Sequence, residues 1–135
     1  DAASIRGSFC TSPAIKSTWN NFFSELAGAF VLMFVIFYIS DGAFEMAGEE
    51  VPVGLGSVGA LPVGILVWVI GLGLGGTTGY AINPARDLGP RIMHQLLPIK
   101  NKMDSGWDYA WIPVIAPLCG SALAYAVKEL LLTTV

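Results

Sequence analysis

The chain has 135 residues, of which 54% are hydrophobic and 13% charged, with a formal net charge of −3. Average globular domains carry roughly 25% charged residues, so this composition, with a mean hydropathy of +0.65, is that of a membrane protein. Its acidic balance argues against a nucleic-acid partner. Cys10 and Cys119 lie far apart and His94 is the only histidine, which argues against a disulfide framework and against a metal site, and no cofactor is expected.

The length suits one domain or half of a larger one. The chain opens at Asp1, without an initiator methionine or a charged segment leading into an apolar core, and is expected to be a fragment of a longer protein. Residues 1–17 are polar, with Gly7, Ser8, Thr11, Ser12 and Pro13, and predict a loop. From Trp19 to Ser40 the only charge is Glu25. A helix over about 18–40 spans roughly 33 Å, enough for the hydrocarbon core of a bilayer, and Trp19 and Tyr38 near its ends suit the interfaces. Asp41–Glu50 is acidic, contains Gly42 and Gly48, and predicts a solvated loop.

No charged side chain occurs from Val51 to Ala85. A second spanning helix fits 55–76, with Trp68 inside it and Gly71, Gly73, Gly75 and Gly76 at its end. Gly71 and Gly75, one helical turn apart, offer a small-residue face for close helix approach. These glycines also satisfy G-x-G-x-x-G, but they follow a helix-length apolar run with no βαβ alternation, so packing is preferred to dinucleotide binding. Thr77–Ile82 is too short for another helix, and Gly79, Tyr80 and Ala81 are expected to be extended. A helix over 84–97 reaches only roughly 21 Å and must be re-entrant. Pro98–Asp108, with Lys100, Lys102 and Asp104, is a polar loop, and Trp107, Tyr109 and Trp111 suggest an interfacial belt. The third span covers 109–132, with Gly120 and Ala124, and Ala122 and Ala126, again one turn apart; Pro113 and Pro117 are placed to bend its first half. Three transmembrane helices plus one half-helix suggest half of an inverted repeat, whose partner half is missing here.

The chemistry concentrates in Gly79–Arg91, Gly-Tyr-Ala-Ile-Asn-Pro-Ala-Arg-Asp-Leu-Gly-Pro-Arg. Asn83 is a helix N-cap with Pro84 at the first helical position. A helix that starts inside a membrane is tolerated only against protein or a watery lumen, so Asn83, Pro84, Ala85 and Arg86 are read as a pore wall. Carbonyls of Gly79, Tyr80 and Ala81 would supply acceptors, Asn83 and Arg86 donors, and the helix dipole with Arg86 would repel cations. The plainer alternative, a common Asn-Pro turn beside a snorkelling arginine, does not account for so short a helix after so long an uncharged run. Glu25 is an intramembrane carboxylate. It is either a proton or cation site or an acceptor for free backbone N–H groups of the re-entrant segment. His94 has no Ser, Cys or Asp partner for nucleophilic catalysis; a solvated histidine is preferred to a pH-tuning one.

The block Gly79–Arg91 closely resembles the second Asn-Pro-Ala motif of the aquaporin (major intrinsic protein) family, and specifically its glycerol uptake facilitator, or aquaglyceroporin, branch. The resemblance runs from about Gly7 to Lys128 and covers only the family's second repeat. It implies an all-α fold that is the C-terminal half of a six-plus-two helix bundle, with residues 1–17 as an extracellular pore-mouth loop and 18–135 as the second repeat. Gly7–Pro13, Phe9 included, is similar to the loop that dips into the pore mouth. Asp87, Arg91 (able to pair with Asp87 across one helical turn), Pro113 and Val114 match the glycerol branch. Arg86 and Tyr80 fall at the selectivity constriction, where many bacterial members carry phenylalanine, and a glutamate in the helix of Glu25 favours the structural role.

The resemblance further implies a homotetramer in the cell membrane, a bacterial plasma membrane, with the C-terminus cytoplasmic. Loop charges alone (Arg6, Lys16, Lys100 and Lys102 against Lys128) give the opposite orientation, and the more specific motif is preferred. The expected function is a passive channel, not an enzyme, for glycerol and other small neutral solutes with some water permeation. The alternatives are an ion-coupled transporter using Glu25, a nucleotide-binding enzyme, and a half-channel that conducts nothing alone.

Overall fold

The computed structural model describes residues 1–40 and 42–133, apart from the side chain of Ser57; Asp41 of the acidic loop and the last two residues of the predicted second repeat lie outside that set. Among the described residues, three helices are long and apolar enough to cross a membrane. They are α2 (Thr18–Ile36), α3 (Leu61–Thr78, entered through a 3₁₀ turn over Gly56–Ala60) and α5 (Ile112–Thr133). The half-helix, α4 (Pro84–Leu96), has 13 residues, which at ~1.5 Å per residue reaches only about two thirds of the way through a hydrocarbon core.

Two segments expected to be loops contain regular structure. Within residues 1–17, α1 (Ala2–Gly7) starts from an Asp1 cap whose Oδ1 accepts from Ser4 N at 2.8 Å. Its signal was a capping residue followed by helix-forming alanines, masked by the Gly, Ser and Pro that follow. Within the acidic stretch, β1 (Ala43–Met46) and β2 (Glu49–Pro52) pair antiparallel with Phe44 opposite Val51 and Glu45 opposite Glu50. Their connection, Ala47-Gly48, has φ of 56° and 82°, the two-residue turn whose twist suits a hairpin.

Helix ends also differ from expectation. α2 gives way to a turn at Phe37, short of Ser40. α5 begins at Ile112 instead of 109 because turns occupy Tyr109–Trp111 and Pro113, which lacks an N–H, fits the first helical turn.

The helices pack around α2, which lies most extensively against α5 and also against α3, while α4 packs on α5. At the α2–α5 crossing the backbones touch: a Cβ added to Gly120 would collide with the Leu26 carbonyl oxygen and lie 3.0 Å from Phe30 N. Ala116 and Ala124 are fully buried beside it, so the Gly120/Ala124 pair forms a contact, whereas Ala122 and Ala126 face outward. Between transmembrane helices, small residues allow this approach and the dispersion contact that comes with it. A second apolar cluster joins Ala29 of α2, Ile70 of α3 and Ile82 of the connection to α4. α3 is the least covered span, with Trp68 and Leu72 exposed at 66% and 73%, a surface that lipid or further protein must meet.

Gly120→Val should force α5 away from α2. Overpacking of this kind costs about 1–3 kcal/mol or more, so the variant should show a lower melting temperature in detergent; an unchanged melting curve would show that the backbones are not in contact.

Candidate functional site: a half-helix anchored by buried polar groups

The site is built on the segment that turns from α3 into α4. Gly79 ends α3 in the left-handed conformation (φ 80°, ψ 16°) with its N–H bonded to the Gly75 carbonyl, a cap that glycine adopts without steric penalty. Gly79 and Tyr80 are thus not extended, contrary to the sequence expectation: Tyr80 has φ of 39°, and Ile82, beyond Ala81, has 42°. For residues with a Cβ, and above all a β-branched one, that region costs on the order of 1–2 kcal/mol each. The carbonyls of Gly79, Tyr80 and Ala81 therefore do not form a strand-like ladder.

Glu25 supplies what holds this backbone. It is 0% exposed on α2, and its Oε1 accepts from Ala81 N at 2.9 Å while Oε2 accepts from Ile82 N at 2.7 Å. Both carboxylate oxygens are thus engaged by main-chain donors that no helix or strand could satisfy. Gly28, one turn further along α2, leaves the room that Ile82 fills: a Cβ there would lie 2.7 Å from Ile82 Cγ2.

Asn83 then opens α4. Its backbone is extended (φ −153°, ψ 117°), and its Oδ1 accepts from Ala85 N at 2.9 Å and from Arg86 N at 3.4 Å, leaving the amide NH₂ as a donor. Pro84 follows at the first turn. Asn83, Ala85 and Arg86 are exposed, Pro84 and Gly79 half-buried, and Ala81 is buried. Tyr80 is 37% exposed, and its ring lies along α3: a Cβ at Gly71 or at Gly75 would come within 2.8 Å of it. The glycine face expected to receive another helix receives this aromatic ring.

Further along α4 the buried stripe is polar. Asp87, Arg91 and His94 are each 0% exposed, while Ile92, Met93 and Leu96 point outward, the reverse of a soluble amphipathic helix. Arg91 grips Asp87 in two places, Nε to Oδ1 at 2.7 Å and Nη2 to Oδ2 at 2.9 Å. Its remaining donors reach the carbonyls of Ser105 (2.5 Å), Gly106 (3.1 Å) and Thr11 (2.9 Å). Asp87 Oδ2 also accepts from the N–H and hydroxyl of Thr11 at 2.7 and 2.6 Å. The pair is therefore surrounded by partners that offset the loss of hydration, as a buried ion pair requires. It binds the loop after α1 and the loop before α5 to the half-helix.

His94 is not solvated, as the sequence suggested. Its Nδ1 lies 2.8 Å from Ser105 Oγ, Phe9 stands edge-on to its ring at 5.4 Å, and Nε2 is buried without a hydrogen-bond partner among the described residues. Tyr109 likewise leaves the proposed interfacial belt: it is 8% exposed, under the Arg91 guanidinium at 5.9 Å, whereas Trp107 and Trp111 remain exposed. Pro113 is buried and Val114 half-buried at the head of α5.

Thr11, Ser105, Gly28 and Lys102 did not stand out in the sequence. Lys102 closes the far end of α4, its Nζ donating to the carbonyls of His94, Gln95 and Leu97 at 2.6, 2.8 and 2.7 Å. A lysine shortly after a helix C-terminus is a legible signal for such a cap. Thr11 and Ser105 act through backbone or hydroxyl groups that almost any loop offers.

A polar, cationic tip on a helix too short to cross a bilayer thus stands among three helices long and apolar enough to do so, the outline of one repeat of a membrane protein. The chain belongs to the major intrinsic protein family, whose model matches residues 2–127. It is 52% identical over 130 residues to a glycerol uptake facilitator protein of Streptococcus pneumoniae, covering 96% of this chain and 51% of that protein. It is 51% identical over 123 residues to glycerol uptake facilitator protein 3 of Lactiplantibacillus plantarum, covering 91% and 47%. The X-ray structure of the aquaglyceroporin from Plasmodium falciparum superimposes with a TM-score of 0.66 at 31% identity, covering 87% of this chain and 46% of that one. The chain spans about half the length of the curated relatives it matches.

Glu25→Gln keeps one acceptor oxygen but replaces the other with a donor facing a backbone N–H. Folded yield should fall more than solute selectivity changes; normal yield, with uptake that had followed a proton gradient in the parent and no longer does, would make Glu25 a coupling site. Arg91→Ala leaves the Asp87 charge buried and unpaired, a loss of about 3–5 kcal/mol, and Asp87→Ala the converse. In unfolding measurements the double variant should lose much less than the sum of the two; strict additivity would mean the two residues act independently.

Proposed function

We propose that the protein containing this chain is a passive channel for glycerol and other small neutral solutes, with some water permeation. The observation that carries this is the start of α4: a capped helix with an exposed donor amide and an exposed arginine, beginning after a bent segment pinned by Glu25 and too short to cross a bilayer. Irregular backbone at membrane depth needs protein or a wet lumen beside it, and a half-helix N-terminus with an arginine is an electrostatic barrier to cations. The names of the relatives, glycerol uptake facilitators, support the same permeant. Asn83 and Arg86 serve as donors to a hydroxyl-bearing solute, Tyr80 narrows the passage beside Arg86, and Phe9 stands at the mouth. Asp87, Arg91, Pro113 and Val114 set the width by holding the surrounding loops and α5 in place.

No covalent step and no cofactor enter this mechanism. The other half of the conduit comes from a first repeat outside this chain, so the 135 residues alone do not enclose a pore. The assembled protein is a multi-pass homotetramer in the cell membrane, a bacterial plasma membrane, with the Gly7–Pro13 loop extracellular and the C-terminus cytoplasmic. Coupled transport through Glu25 has little support, because both of its oxygens already accept backbone hydrogen bonds.

Arg86→Val removes the fixed charge at the mouth. In vesicles carrying the intact protein, light scattering should report polyol flux retained or raised and exclusion of charged or larger solutes relaxed by about tenfold or more, the scale of one desolvated charge interaction. Polyol flux and ion exclusion both unchanged would remove Arg86 from the constriction.

A further inference from the structure

The mouth loop brings a second arginine to the cavity in which Arg86 stands. A space of about 290 Å³ is lined by Arg6, Gly7, Cys10, Thr11, Gly79 and Arg86, among others. Arg6 is the last polar side chain of α1, and among the described residues its guanidinium makes one hydrogen bond, a long one, Nη1 to the Asp104 carbonyl at 3.4 Å. Among the described residues neither Arg6 nor Arg86 belongs to an ion pair. Asp87, the acid adjacent to Arg86 in the chain, is consumed by Arg91 and Thr11. Cys10, the ionisable thiol on the cavity wall, is pushed up from its ordinary value by burial and stays neutral at physiological pH. Two guanidiniums thus share a space to which no Asp or Glu among the described residues contributes a wall. A cavity lined by one sign of charge concentrates counter-charged solutes, and a planar guanidinium fork matches a carboxylate in shape and charge.

We propose that Arg6 and Arg86 together form a binding site at the channel mouth for a small carboxylate anion, a hydroxy acid of about polyol size, which competes there with neutral polyols. The site rests on Arg86 being part of the conduit. The anion does not pass as such, because leaving the paired guanidiniums for an apolar passage would strip a charge of its partners at a cost of several kcal/mol. It is retained at the mouth and slows entry behind it.

The test is glycerol flux into vesicles bearing the intact protein, measured by light scattering at neutral pH with sodium lactate or its neutral amide, lactamide, at equal concentration. Lactate should slow glycerol entry and lactamide should not. Arg6→Gln should weaken the lactate effect roughly tenfold, the effect of one charge-assisted hydrogen bond, and Arg6→Lys should restore part of it. Equal slowing by lactate and lactamide, no slowing by either, or a lactate effect that Arg6→Gln leaves intact would each overturn the site while glycerol flux still supports a channel. Absence of protein-dependent glycerol flux would instead overturn the channel itself.

Discussion

Both oxygens of the Glu25 carboxylate are bonded to consecutive backbone N–H groups, those of Ala81 and Ile82, and the geometry of the half-helix follows from that contact. A chain that leaves one helix and starts another inside a membrane exposes donors that neither lipid nor a neighbouring strand can meet. A neutral amide could satisfy one of them well; a carboxylate accepts from both, and those charge-assisted hydrogen bonds offset the cost of burying it. The same contact compensates for the left-handed backbone at Tyr80 and Ile82. Without it the segment would relax and Asn83 would no longer present the cap from which α4 begins.

Distance from that anchor is bridged by a second polar knot. Asp87 and Arg91 tie α4 to Thr11 of the loop after α1 and to Ser105 and Gly106 before α5, and Lys102 closes the helix at its other end. The half-helix is therefore held at its start, its middle and its finish by polar groups from three different segments. In a soluble protein an apolar stripe would do this through the hydrophobic effect. Within a bilayer, where lipid is as apolar as leucine, directional polar bonds and close backbone contact such as Gly120 on α2 must do it instead.

The sequence showed most of the helices because a membrane imposes length and apolarity on each span separately, a local property. It also showed Asn83 as a cap and Asp87 with Arg91 as a possible pair, since both depend on spacing along one helix. It did not show that His94 and Tyr109 are buried, because each is covered by residues distant in the chain: Phe9 and Ser105 in one case, Arg91 in the other. The hairpin at Ala43–Pro52 was hidden by its acidic composition, although Ala47-Gly48 carried a turn signal. The extended conformation expected at Gly79 gave way to a local helix cap, and at Tyr80 to left-handed backbone beside the donors that Glu25 holds.

By itself, then, the order of residues determined that the chain lives in a membrane, crosses it in three apolar stretches and carries one capped, cationic helix too short to cross. Those traits depend on composition and on spacing within single elements. Only the tertiary structure decided which polar groups meet: that Glu25 serves the backbone, that Tyr80 lies on the glycines of α3, and that Arg6 joins Arg86 at one cavity. The reason is physical. Hydrogen bonds and ion pairs act over a few ångströms, and proximity between residues far apart in sequence is set by how the helices pack.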